Sequence, residues 1–333
     1  MKWVKVGALV VASLLFIGAM GVWFMIGMPG KSYDGPLPEE TAELQALSSE
    51  LELYVTVLGS SFGARNVDRP DALQDTVVYL EETLQGFGYE VARQSFEVDG
   101  VECHNLEVEL KGTTRPEEIV VIGAHYDTAH DAPGANDNGS GVAATLALAR
   151  EFADARPERT LRFVLFVNEE PPYFQTEDMG SLRYARRSRE RGEEIVAMIS
   201  LETIGYFDDA EGSQVYPVGV LGWVYPTRGD FVAFVGDLGS RSLVRESIKV
   251  FREHAEIGSE GAALPQGIPG VGWSDHWAFW QEGYPALMVT DTAPFRYPYY
   301  HTREDTPEKL DYRRMALVVQ AMMPVVAELA GVL

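Results

Sequence analysis

The 333-residue chain has a single cysteine, Cys103. One cysteine excludes an internal disulfide framework and any zinc site built from thiolates, so a metal held by this chain must be held by histidine and carboxylate. Positive charge is also scarce. The 27 Lys and Arg against 50 Asp and Glu leave a formal charge of -23. Nucleic acid needs a basic face, so it is excluded as a partner. Histidines number only six. No repeat or low-complexity tract is visible, and long apolar runs are missing with one exception, at the N-terminus.

That exception is MKWVKVGALVVASLLFIGAMGVWFMIGMPGK. Lys2 and Lys5 precede an uncharged, largely apolar stretch from Gly7 to Met28. About 20 such residues span a bilayer, whereas a cleaved signal has a shorter apolar core and a small-x-small site. No convincing cleavage site is present. The lysines before the span place residues 1–6 in the cytoplasm and the bulk of the chain outside it. The expected organisation is a cytoplasmic tail (1–6), a transmembrane signal anchor (7–28), a Pro/Gly-rich linker (29–40) and a catalytic domain (41–333). The alternative is a domain secreted after signal cleavage. Oligomeric state is not legible.

Within 41–333, residues 41–59 and 70–87 read as amphipathic helices. YEVARQSFEV and HNLEVELKG alternate around Asp99-Gly100, a hairpin signature. IVVIGAHYD (119–127) reads as a buried strand, followed by a Gly/Asn loop and a helix over about 140–155. LRFVLFV (161–167) is the next strand, then a helix near 180–190 and a strand over 195–206. Residues 207–272 look irregular, with one helix near 241–254, and are expected to form a lid or pocket insertion. PALMVTDTA (285–293) is the last strand, and a helix from about Tyr312 closes the chain. Strands alternating with helices predict an α/β, three-layer sandwich with a mostly parallel, mixed sheet.

In open α/β sheets ligands sit beyond the carboxyl ends of strands. Here those ends deliver His125 and Asp127, then Asp137, the pair Glu169-Glu170, Glu202 and, after PFRYPYY, His301. Alone, each has a bland reading. Asp137 would be a helix N-cap, the glutamate pair a solvated strand end, and His125 a satisfied strand-end imidazole. Every strand end offering such a residue makes the bland readings hard to hold together.

The ordered set GAHYDT, PGANDNGSGVA, NEEPP, SLETIGY, SDHWAFW and YYHTREDT resembles the co-catalytic zinc aminopeptidases of peptidase clan MH, over roughly residues 75–330. The resemblance implies a zinc-exopeptidase fold and two Zn2+ per chain. His125 and Glu202 would bind one ion, Glu170 and His301 the other, and Asp137 both. Asp127 would orient His125. Glu169 would be the general base that takes a proton from metal-bound hydroxide's parent water and passes it to the leaving amine. Tyr300 would stabilise the oxyanion. The Glu202 position is more often Asp in the family, and the PPYFQTEDMG loop is longer than in the simplest relatives. Asp275, His276 and Arg228 are weaker candidates for substrate contact. Arg65 and Arg228 are candidates for a substrate carboxylate, with surface or structural roles favoured for both.

The expected activity is hydrolysis of N-terminal peptide bonds, on peptides with a free N-terminus, by a membrane-anchored enzyme. Two alternatives share the fold: a carboxypeptidase, which would need an arginine cluster not found here, and a glutaminyl-cyclase-like acyltransferase, which would use one zinc. A third is an inactive binding ectodomain, although Glu169 and all five ligand positions are filled. Aromatics over 207–299 suggest an apolar pocket wall.

Overall fold

The structure, a computed structural model, describes residues 2–332, and the side chains of residues 2–12 and Leu15 lie outside that description. Helix α1 (Lys2–Ile26) is followed by α2 (Ala42–Thr56), whose N-terminus is capped by Thr41 accepting from the Leu44 amide, and by α3 (Pro70–Gly86). Apolar residues at helical spacing (Leu73, Val77, Leu80, Leu84) bury one face of α3. The hairpin β1 (Ala92–Val98) and β2 (Val101–Leu110) turns through Asp99 and Gly100, both at positive φ (50° and 81°), which is the two-residue turn that matches strand twist.

Then come β3 (Arg115–His125), α4 (Gly141–Phe152), β4 (Arg159–Phe166), α5 (Gly180–Glu190) and β5 (Glu194–Glu202). The C-terminal part holds β6 (Phe231–Asp237), α6 (Arg241–His254), β7 (Gly258–Leu264), α7 (His276–Gln281), β8 (Ala286–Thr290), α8 (Ala293–Arg296) and α9 (Tyr312–Ala330). One eight-stranded mixed sheet runs β1-β2-β4-β3-β5-β8-β6-β7. Strands β4, β3, β5 and β8 are neighbours and parallel, so their carboxyl ends share an edge. Strand β4 is buried from Thr160 onward, as expected for the continuous apolar run of a central strand covered on both faces. Helices α2, α4, α6 and α9 pack on one face, and α5 and α7 pack together on the other.

Two elements depart from the sequence expectation. The segment 207–272 is not wholly irregular. Residues 231–264 form a β6-α6-β7 crossover that completes the sheet, leaving 207–230 and 265–275 as loops. Strand β7 was hidden by its sequence, GSEGAAL, because glycine and alanine carry little β signal. The membrane span expected over 7–28 falls partly on residues 7–12 and 15, whose side chains are outside the described set. Among the described residues, no helix is long and apolar enough to cross a membrane.

Candidate metal centre

Three adjacent parallel strands bring the predicted ligands to one edge. His125 is the last residue of β3 and Glu202 the last of β5. Glu169 and Glu170 follow the end of β4. Asn168 there adopts a left-handed backbone (φ 60°), which asparagine tolerates, and turns the chain before Pro171. The turn presents the backbone N–H groups of Glu169 and Glu170 to the two carboxylate oxygens of Asp127, each at 3.1 Å. Asp127 therefore fixes both glutamates by their main chain while its own carbonyl faces His125 Nδ1 at 3.3 Å.

Asp137 lies in the Gly/Asn loop before α4. Gly134, at φ 62°, has no room for a side chain beside Thr128 and the Asp137 carbonyl. Asp305 holds this loop from across the site, accepting from the amides of Asn136 (2.8 Å) and Asp137 (3.1 Å) and from the Tyr297 hydroxyl (2.8 Å). Arg65, fully buried, donates to the carbonyls of Leu58, Gly63, Tyr126, Pro133 and Gly134, so it clamps backbone and is not free for a substrate carboxylate.

Two groups of ligand atoms result, His125-Asp137-Glu202 and Asp137-Glu170-His301, each with its atoms within 4.8 Å of one another. Asp137 belongs to both. His125 Nε2 is 3.1 Å from Glu202 Oε2 and 3.5 Å from Asp137 Oδ1. His301 Nε2 is 3.1 Å from both Asp137 Oδ2 and Glu170 Oε2. Yet Asp137 Oδ2, Glu170 Oε1 and His301 Nε2 are buried without a hydrogen-bond partner. Polar atoms this close and still unpaired are aimed at a shared point rather than at each other. Buried groups of this kind are rare unless something else satisfies them.

The charges agree. Burial drives Glu170 up to about 8, helped by Asp137. Burial also raises Glu169 well above the carboxylate range, with His125 opposing and Glu170 and Glu202 adding. Glu202 is raised by burial. Burial would raise Asp137 too, but the nearby His125 and His301 imidazoles win and hold it low. Burial works against the His301 proton, yet Asp137 and Glu170 lift it to about 11. Carboxylates outnumber imidazoles here, and only cations relieve such a set. Nitrogen and oxygen donors without sulfur suit zinc, and the residues present fit a two-metal site.

Glu169 lies 3.8 Å from His125 Nε2 and belongs to neither group. The ring of Tyr300 stacks on His301 at 3.8 Å. Ser274 donates to Glu202 Oε2 at 2.8 Å, and Asn138 donates to the Leu201 carbonyl. Asp275 is fully buried, with neither oxygen hydrogen-bonded, and burial pushes it to about 7. His276 is a wall residue, bonded through Nε2 to the Val271 carbonyl at 2.7 Å and set edge-on to Trp280. Burial lowers it to about 4. Arg228 is not brought to the site; it is half-exposed and paired with Asp230 at 2.5 Å. Sequence reading missed Asp305, Ser274 and Asn138. All three stand inside quoted motifs, Asn138 in PGANDNGSGVA, Ser274 in SDHWAFW and Asp305 in YYHTREDT, but nothing local to them marks their partners.

Beside the cluster opens a cavity of about 100 Å³, lined by Glu202 and Tyr300 and by apolar and aromatic walls.

Residues 105–326 match the model of peptidase family M28. The chain is 36% identical to YfbL of Escherichia coli (strain K12) over 286 residues, 84% of this chain and 87% of that protein. It is 28% identical over 208 residues to aminopeptidase YwaD of Bacillus subtilis (strain 168), covering 60% of this chain and 38% of the other. Among solved structures, the LapA aminopeptidase of Legionella pneumophila superposes with a TM-score of 0.66 at 20% identity, covering 89% of this chain and 76% of that one.

Proposed function

Because the chain belongs to peptidase family M28, and is on that ground a zinc metallopeptidase, we propose that it is an aminopeptidase with two zinc ions, anchored by α1 with its catalytic domain outside the cytoplasm. The observation that carries this is the pair of ligand groups sharing Asp137, with Glu169 beside them and in neither.

Zinc held there supplies Lewis acidity toward the scissile carbonyl and makes water more acidic. His125, Asp137 and Glu202 would hold one ion, and Asp137, Glu170 and His301 the other. Glu169 takes a proton from water at its carboxylate and returns it to the leaving amine. Its burial among carboxylates favours that proton, as a base working near neutrality requires. Asp127, by gripping the Glu169 and Glu170 amides, keeps base and ligand at a fixed separation. Tyr300, at the cavity end of the cluster, offers its hydroxyl to the carbonyl oxygen as charge builds there. A free α-amine is drawn to this carboxylate-rich edge. The carboxypeptidase reading lacks its arginine, since Arg65 is consumed by carbonyls and Arg228 by Asp230.

Support for anchoring comes from α1. Leu14, Phe16, Ile17, Met20, Val22 and Trp23 are all exposed, and a helix apolar on every side is at home in lipid. Arg241 and Arg245 on α6 donate to the Phe24 and Gly27 carbonyls, tying the C-terminal end of α1 to α6.

The test is zinc analysis of the full chain in detergent, with hydrolysis of free and N-acetylated peptides. About two zincs and cleavage of free peptides only are expected. Retention of a single zinc with cyclisation of N-terminal glutamine would replace this reading. Protease added to intact cells should reach the domain; protection until lysis would overturn the topology.

A further inference from the structure

The cavity beside the metal centre is walled by aromatics but does not end in one. Its floor is the sheet. Phe231, Ala233 and Val235 of β6 and Glu260, Ala262 and Leu264 of β7 line it, alternate residues of two strands and hence one face. Strand register then sets an order across that floor. Glu202 pairs with Thr290, Thr290 with Ala233, and Ala233 with Glu260. All four line the cavity. A single row thus runs from a ligand residue of the metal centre to a second glutamate three strands away. Three strand spacings of about 4.8 Å put the two backbones roughly 14 Å apart.

Glu260 has no side-chain hydrogen bond among the described residues. Its nearest cation is Arg252, 3.8 Å away. That guanidinium is already spent on the Ser259 hydroxyl and on the Ser259 and Pro29 carbonyls. Asp230 is the other charged group acting on Glu260. Tyr216 and Tyr225, stacked at 5.9 Å, line the cavity on the way, and the Glu260 charge adds to the burial that raises both phenols. The Glu260 side chain is 21% exposed and stands where the apolar cavity meets a polar groove lined by Asp230 and Arg228, and a partly buried carboxylate without a donor is stabilised by a ligand that supplies one.

We propose that Glu260 receives the cationic end of the substrate's N-terminal side chain, making lysine and arginine the preferred residues of the cleaved position. The proposal rests on the aminopeptidase reading for the orientation of substrate. With the scissile carbonyl at the metal centre, the α-amine is only two bonds away and cannot reach Glu260. A long side chain laid along the row can. Its methylenes run over Thr290 and Ala233, its charge passes the tyrosine pair, and its terminus meets the carboxylate. An apolar preference, suggested by the aromatics alone, omits this end of the cavity.

The test uses the full chain in detergent, loaded with zinc, and compares lysine with norleucine, which has the same stem without the ammonium. Two readouts run in parallel: kcat/KM on the two amino-acid amides, and calorimetric binding of the two free amino acids. Wild type is expected to favour lysine in both. Glu260→Gln should cut the lysine-to-norleucine ratio about ten- to a hundredfold, the size of a lost charge-assisted hydrogen bond. Glu260→Asp should retain part of the preference. A wild-type ratio of one or below, or a ratio unchanged by Glu260→Gln, overturns the proposal. Glu260-dependent lysine binding with no hydrolysis of any amide keeps the proposal and sinks the aminopeptidase reading instead.

Discussion

The two halves of the metal centre are built differently. On the strand side, His125 and Glu202 end neighbouring strands, the His125 side chain is 1% exposed, and Asp127, Asn138 and Ser274 brace the ligands. On the loop side, His301 stands in a turn at φ 58°, its side chain is 28% exposed, and its Nε2 has no hydrogen-bond partner. Asp137 serves both. A site made of strand ends inherits the rigidity of the sheet, whereas a site completed by a loop histidine depends on that loop for its geometry. The strand-side ion should therefore be the tighter and the loop-side ion the exchangeable one, with Asp137 coupling them.

Substitutions can break this contrast, beginning with the largest effect. Glu169→Gln should keep both ions yet lower kcat by at least about a hundredfold, with KM little changed. Its neighbour, Glu170→Gln, should lose the loop-side ion as well as activity. Identical metal content and rate in the two variants would mean that base and ligand have been assigned wrongly.

A difference in stability comes next. His125→Ala removes a ligand and with it the strand-side ion that offsets the buried carboxylates, and should cost about 3–5 kcal/mol in denaturant unfolding. His301→Ala leaves the sheet intact and should cost about 1–3 kcal/mol while retaining one zinc. Equal costs would erase the distinction between the halves.

The finest cut is Ser274→Ala. It removes one hydrogen bond to Glu202 and should cost about 0.5–1.5 kcal/mol. Stepwise chelation should show the change in the slower, strand-side phase only. A change in the faster phase would place Ser274 in the wrong half.

The strand-side half was the more legible in sequence. Apolar runs ending in His125 or Glu202 declare both a strand and its delivery point, because periodicity and ligand chemistry coincide. What stayed hidden acts through geometry without a local pattern. Asp305 reaches back to the Asp137 loop from the far end of the chain, and Ser274 is an ordinary serine until Glu202 lies beside it. Strand β7 was missed because GSEGAAL is too rich in glycine and alanine to read as strand; the sheet, not local propensity, imposes its shape. The cavity floor, and Glu260 with it, was therefore illegible until the register was known.

Arg65 has a consequence for where this enzyme can be cut. The family match begins at residue 105, and a fragment trimmed to 105–326 would carry all five proposed metal ligands. It would nonetheless lack Arg65, whose guanidinium gathers the carbonyls of Tyr126, Pro133 and Gly134, the chain leading into Asp137. Those oxygens would be left facing one another across an empty space the size of an arginine side chain. The boundary that recognition draws around the catalytic residues is thus narrower than the boundary of the folded unit, which extends N-terminally at least through the turn holding Leu58, Gly63 and Arg65.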